Sequence, residues 1–207
     1  ITYHTFVSPN EGGRSILYNK NNRKIYGKKW LGWNGQKKTL YPVVGKKDSL
    51  RLIEQKDIEL IRKWRNDNKF CFSDSTYISS EMQIKWFESY KEKEDDFIFI
   101  IETLNEIPVG MISLYNIDYD SKNADFGRLV IGNKSYRGKT YSWDTSQSLI
   151  SFAFTDLGLC QLNLKVLKDN YRAFRFYEKI GFHKIESSKK SKHFDSIIMT
   201  LDKEAFF

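Results

Sequence analysis

The run Ala124 to Phe182, ADFGRLVIGNKSYRGKTYSWDTSQSLISFAFTDLGLCQLNLKVLKDNYRAFRFYEKIGF, decides how this chain folds. It reads as a strand over Ala124 to Ile131, a basic turn (Tyr136-Arg137-Gly138-Lys139-Thr140-Tyr141-Ser142), a helix to about Leu157, a strand over Leu162 to Leu167, and a second helix from Asn170 to Ile180 that closes on Gly181-Phe182. A strand that delivers its chain into a basic turn at a helix N-terminus aims backbone N–H groups and the positive dipole end at one place. An anion, and a phosphate above all, is the expected guest there. Many helices begin after such a turn, so the turn alone selects no ligand.

Working toward the N-terminus, Pro108 to Tyr115 (Val109, Met111, Ile112, Leu114) and Asp96 to Leu104 (Phe97 to Ile101) read as antiparallel strands joined at Asn105-Glu106. Ser79-Ser80-Glu81-Met82 opens a helix expected to turn Met82, Trp86 and Phe87 inward. An earlier helix starts at about Asp57, carries Ile58, Leu60, Ile61 and Trp64 on an apolar face, and fades around Arg65-Asn66-Asp67-Asn68. Leu50 to Ile53 is the first strand. Toward the C-terminus, Ser187 to Lys192 is a polar turn and His193 to Leu201 the last strand. Strands first and alternation later predict an α+β fold with a sheet of mixed direction, mostly antiparallel and flanked by helices.

Residues 1–49 stand apart as a basic, Gly- and aromatic-rich extension, and residues 50–207 form the main domain. The extension holds six of the twelve glycines and short apolar bursts (Ile16-Leu17-Tyr18, Ile25-Tyr26, Trp30-Leu31 with Trp33, Leu40-Tyr41). Polar breaks at Asn19 to Asn22 and Asn34-Gly35 predict one or two β-hairpins. The net charge of +8 also resides there, because residues 1–50 hold ten Lys and Arg against two acids while the remainder is neutral. The arm either packs its tryptophans on a protein surface or offers a basic, aromatic face to an anionic partner such as nucleic acid.

A length of 207 residues suits one domain with a substantial core. Cys71 and Cys160 are far apart and outside any Cys/His cluster, which predicts neither a disulfide framework nor a zinc or other metal site. A reducing, cytoplasmic setting fits that usage best. No run of about 18 apolar residues is present, so no spanning helix is expected, and no charged-then-apolar leader is visible after Ile1.

The segment Asn170 to Phe182 resembles the N-x-x-A-x-x-x-Y-x-x-x-G-F signature of the GNAT acetyltransferase superfamily. Arg137 to Ser142 resembles that superfamily's R/Q-G-x-G-x-G/A coenzyme A loop, at about the right distance. The resemblance covers roughly Leu50 to Leu201. Trp64-Arg65-Asn66-Asp67 and Ala124-Asp125-Phe126-Gly127 are similar to the branch that acetylates amino groups of nucleotide-linked sugars. The ribosomal-protein N-terminal acetyltransferases share much of the pattern. The resemblance implies a GNAT fold, acetyl-CoA as co-substrate, and a small-molecule amine as acceptor, most of all a nucleotide-linked amino sugar; a protein N-terminus is the rival.

Residue by residue, the resemblance places the coenzyme A pyrophosphate on the amides of Arg137, Gly138, Lys139, Thr140, Tyr141 and Ser142, and the pantetheine arm along the backbone of Leu129, Val130 and Ile131. It makes Tyr177 the acid that protonates the departing thiolate, Asn170 a partner of the pantetheine or the tyrosine, and Arg172 a phosphate contact. Asp125 is the leading base. Arg65, Asn66, Phe72 and Tyr77 would line the acceptor pocket, within the loop from Asn66 to Ile78. Spacing alone leaves other readings open: Tyr171, Phe174 and Tyr177 form a helical aromatic stripe that suits a core, Asp125 suits a strand edge, and the loop aromatics suit simple packing. His4, His183 and His193 match no catalytic position. Thr140 and Ser142 depart from the loop pattern, and a β-branched Thr140 would weaken the cofactor site if the turn required positive φ there. A relative that has lost catalysis and binds through its basic arm is the alternative from another functional class.

Overall fold

The computed structural model describes residues 14–18, 24–28, 43–45, 48–72, 74–185 and 196–207. The chain divides into two compact units, Ile1–Pro42 and Val43–Phe207. In the first, β1 (Arg14–Tyr18) and β2 (Lys24–Lys28) pair antiparallel from Arg14↔Lys28 to Tyr18↔Lys24, so the break at Asn19 to Asn22 is bracketed by a hairpin. Trp30, Trp33, the Asn34-Gly35 turn, Ser187 to Lys192, His4 and His193 lie outside the described residues.

The second unit is built on an eight-stranded sheet. Its strands are β3 (Val43–Val44), β4 (Asp48–Leu52), β5 (Phe97–Thr103), β6 (Pro108–Asp118), β7 (Asn123–Ile131), β8 (Gln161–Leu167), β9 (His183–Lys184) and β10 (Ser196–Asp202), in the order β3-β4-β5-β6-β7-β8-β10-β9. Val43–Val44, read from sequence as part of the extension, pairs with β4. Every neighbouring pair is antiparallel except β7 and β8. A parallel pair needs a long crossover, and α3 (Tyr141–Thr155) supplies it.

The central strand β5 is buried along its whole length, as expected for a strand covered on both faces. On one face, α1 (Ile58–Asp67) and α2 (Ser80–Lys91) close a core of Ile53, Ile61, Trp64, Phe87, Tyr90, Ile98, Ile100, Met111 and Val130. On the other, α3 sets Phe152 edge-on to Phe99 at 6.2 Å. Ser79 caps α2 by accepting a hydrogen bond from the Met82 amide. The inward stripe of α2 is Gln83, Phe87 and Tyr90, with Trp86 half-buried beside it. Met82 is a correction: it is 49% exposed, because helical rotation from Phe87 and Tyr90 carries it off the buried stripe. The helix α4 (Tyr171–Ile180) ends on Gly181 at φ +119°, a left-handed cap that suits glycine, and a four-residue α5 (Lys203–Phe206) ends the chain. Among the described residues no helix is long and apolar enough to cross a membrane, and no group of three His, Cys, Asp or Glu could hold a metal ion.

Candidate active site

The parallel contact between β7 and β8 lasts only three residues, from Asn123↔Gln161 to Asp125↔Asn163. Beyond it β7 runs on to Ile131 and β8 to Leu167, so the two strands part and the sheet opens in the middle. Backbone groups on the β8 side of Phe126 to Val130 are left facing a gap, and a polar backbone in that position demands an outside partner. Leu129 and Ile131 are half-buried along the gap, while the Val130 side chain belongs to the core on the α1 and α2 side.

The strand is also kinked there. Met111 pairs with Val130 and Ser113 with Gly127, so β7 spends three steps where β6 spends two. The extra residue is Arg128, held at φ +51°. Two contacts secure that strained backbone: an ion pair to the buried Asp96 carboxylate at 2.6 Å, and the Tyr115 ring, over which the guanidinium lies at 4.2 Å.

Past the gap, the chain turns into α3. The positive φ in this turn falls on Gly138, at +74°, with nothing within 4 Å of where a Cβ would stand. Thr140 adopts ordinary helical angles (φ −71°, ψ −2°) as the residue before α3, so its branching costs nothing, and its side chain does not cap the helix. The first-turn N–H groups therefore remain available to an anion. Arg137 spends its guanidinium on the Ile131 carbonyl (2.9 Å) and Asn68 Oδ1 (3.0 Å), and Lys139 lies over the Tyr136 ring at 4.9 Å. Tyr141 and Ser142 are half-buried at the helix start.

From the far side, α4 brings Tyr177 against Phe126, edge-on at 6.3 Å, and against Phe182 at 6.0 Å. The ring keeps some exposure, yet burial, with Tyr115 as a second cause, pushes its phenol up to about 12, so it stays protonated through neutral pH. Of the aromatic stripe, Tyr171 is 74% exposed, Phe174 is half-buried, and Tyr177 meets the Phe126 ring of β7. Asn170 is the α4 N-cap, accepting from the Ala173 amide at 3.1 Å, and Arg172 is exposed on the first turn.

On the opposite face, Asp125 accepts a hydrogen bond from Asn116 Nδ2 at 2.7 Å and stands across from Tyr115. The loop after α1 stacks Arg65 on Phe72 at 3.7 Å, and Arg65 also donates to the Asp74 carbonyl. Its Nη1 is buried without a hydrogen-bond partner, and burial, opposed by Asp74 and reinforced by nearby Arg128, lowers its affinity for its proton. Asn66 spends both ends of its amide on the backbone of Ile78 and so pins the loop. Tyr77 is 63% exposed and accepts a hydrogen bond from Arg62 at 3.3 Å. Sequence reasoning missed Tyr115 and Arg128, which read as ordinary strand residues, and Asp96, one residue before β5; their ion pair and ring contact join residues distant in sequence.

The sequence profile of the acetyltransferase (GNAT) domain matches residues 49–183, well over half the chain. The chain belongs to the GNAT acetyltransferase family. As a GNAT enzyme it is an acetyl-CoA-dependent N-acetyltransferase, and the parted strands, the Gly138 turn and the uncapped α3 terminus fit such a co-substrate. This GNAT is 23% identical over 136 residues to spermidine N(1)-acetyltransferase of Vibrio cholerae, covering 65% of this chain and 78% of that one. It is 26% identical over 142 residues to the acetyltransferase PseH of Campylobacter jejuni, covering 68% and 86%. A Methanocaldococcus jannaschii protein is 24% identical over 152 residues, and the match spans 29% of its length. Among solved structures, FdhC, a nucleotide-linked sugar GNAT, superposes with a TM-score of 0.68 at 25% identity over 81% of this chain and 93% of that one.

Proposed function

We propose that this GNAT acetylates the primary amine of a small acceptor, and that the acceptor is a nucleotide-linked amino sugar. The observation that carries this reading is the Arg65 and Phe72 pair, an aromatic face carrying a guanidinium with an unsatisfied buried N–H. A ring suits the sugar, and an orphaned cationic donor suits a phosphate or carboxylate far better than a polycation. The likeness to FdhC supports the same reading.

When bound, acetyl-CoA supplies an activated acetyl thioester. The backbone of Leu129, Val130 and Ile131 would hold its pantetheine arm, and the amides from Gly138 to Ser142 its pyrophosphate, while Arg137 braces the turn through Ile131 and Asn68. Asp125, oriented by Asn116, takes the proton that the acceptor ammonium must lose to become a nucleophile. Tyr177 holds its proton until a thiolate needs it. A β7 amide faces the developing oxyanion.

The test is thiol release from acetyl-CoA with three acceptors: a dTDP-linked amino sugar, spermidine, and a peptide with a free N-terminus. The sugar nucleotide is expected to show the highest kcat/KM, and Tyr177→Phe to lower kcat about 100-fold or more. Preference for spermidine or the peptide refutes the acceptor assignment.

A further inference from the structure

One rung of the sheet runs across four strands on the acceptor face. Tyr115 on β6 pairs with Asp125 on β7, Asp125 with Asn163 on β8, and Asn163 with Thr200 on β10. Directly paired residues share a face. The pleat therefore sets this row opposite to Phe126, Leu162 and Leu164, which are buried on the α3 side with Phe99. The rung is also the last that joins β7 to β8, so Asp125 and Asn163 stand side by side where the sheet opens.

The other side chains of the row have partners. The Tyr115 ring lies against the Arg128 guanidinium at 4.2 Å, and Thr200, 5% exposed, donates to the Leu162 carbonyl at 3.3 Å. Asp125 accepts from Asn116 through Oδ2 at 2.7 Å, which leaves Oδ1 for an amine. Asn163 differs: it is half-buried, and its carboxamide has no hydrogen-bond partner among the described residues. Asparagine is a poor strand former, and here it forgoes the local bonds that usually offset that preference. Its amide offers one group that donates and one that accepts, both unspent.

We propose that Asn163 is a specificity-determining residue that selects acceptors bearing a hydroxyl on a carbon next to the reacting amine. The inference rests on the acetyl-transfer reading above and on Asp125 as the group that receives the amine proton. Adjacent strands lie about 4.8 Å apart, so with the nitrogen at Asp125 the Asn163 amide meets the substituent on the neighbouring carbon. A hydroxyl both donates and accepts and so satisfies both halves of the amide; a peptide carbonyl at that carbon engages the N–H half alone. Spermidine has only methylenes beside its terminal amines and engages neither. An amino sugar whose amine is flanked by hydroxyls is the acceptor this pair of side chains fits.

The experiment crosses one substitution with one change of substrate. Wild type and Asn163→Ala are assayed for thiol release with a dTDP-linked amino sugar that has hydroxyls on the carbons flanking its amine, and with the same compound lacking those hydroxyls. Wild type should favour the hydroxylated acceptor about 10- to 100-fold in kcat/KM, as one or two hydrogen bonds to a half-buried amide allow. Asn163→Ala should erase that preference, with turnover of the deoxygenated acceptor and of spermidine within threefold of wild type and calorimetric affinity for coenzyme A within threefold as the sign of an intact fold. Asn163→Asp, which only accepts, should keep part of the preference. Equal rates for the two acceptors in wild type, or an Asn163→Ala variant that lowers both alike or neither, overturn the role of Asn163 alone. Preference for spermidine or the peptide overturns it together with the acceptor assignment. A wild-type protein that transfers acetyl to none of these amines overturns the acetyl-transfer reading and this one with it.

Discussion

Asp48 offers the sharpest quantitative test of this structure. It starts β4, is fully buried, and accepts a hydrogen bond from Thr145 on α3, 97 residues away. Its Oδ1 has no partner. Burial first, then the Asp144 carboxylate, raise its pKa from 3.8 to about 6 against the lowering effect of Thr145 and of its own backbone. A carboxyl with a raised folded-state value holds its proton more tightly in the native protein than in the unfolded chain. Its stabilising effect is therefore complete below about pH 3.8 and is lost as pH rises through 6. The shift corresponds to about 3 kcal/mol in total, with roughly half lost by pH 5 and about 1.4 kcal/mol more between pH 5 and 7.5. Asp48→Asn cannot ionise. Urea unfolding followed by circular dichroism at pH 5, 6 and 7.5 should show the stability of the variant relative to wild type rising by about 1.4 kcal/mol across that range, whatever constant offset the new amide introduces. A difference that stays flat from pH 5 to 7.5 refutes the argument that this carboxylate is paid for in desolvation.

Three further outcomes follow from the geometry. Gly132→Ala would place a Cβ 2.1 to 2.2 Å from the ring carbons of Trp64, which is 4% exposed, and should cost about 1–3 kcal/mol or more, read as a fall in urea midpoint. Gly138→Ala meets open space but the wrong backbone region; the exposed turn can relax, so the roughly 1–2 kcal/mol of strain should appear as a 5- to 30-fold rise in calorimetric Kd for coenzyme A with Tm nearly unchanged. Asp57→Asn strips the half-buried Arg51 guanidinium of its two-pronged partner (2.6 and 2.8 Å), leaves it only Glu102 at 2.7 Å, and should cost about 1–3 kcal/mol at pH 7. Burial works against ionised Asp57, but Arg51 and the Glu54 amide outweigh it and hold the carboxyl below 3.8, so the wild-type advantage is present above that pH and fades as acid titrates through the lowered value.

How much of this was legible beforehand varies with the reach of the cause. The strand, turn and helix run from Ala124 to Phe182 appears within a residue or two of its expected bounds, because periodicity and turn chemistry act over a few residues. Tyr177 was marked by the same segment. Asn66 and Asn170 show the limit: both carry the expected residue type, and the structure spends Asn66 on the Ile78 backbone and Asn170 on a helix cap, which spacing could not distinguish from ligand contacts. Thr140 shows the converse, since its departure from the loop pattern is harmless once the positive φ is seen to fall two residues earlier.

Local sequence thus determined the order of elements, the alternation that makes the fold α+β, and the segment able to receive an anion. Tertiary structure alone decided where β7 and β8 part, that Arg128 fills a bulge, that Tyr115 stands across from Asp125, and that Asp48 is buried against α3. The reason is physical: a strand's pleat states which residues share a face, but register, bulges and burial are fixed by partners dozens of residues away, and pKa values follow that burial.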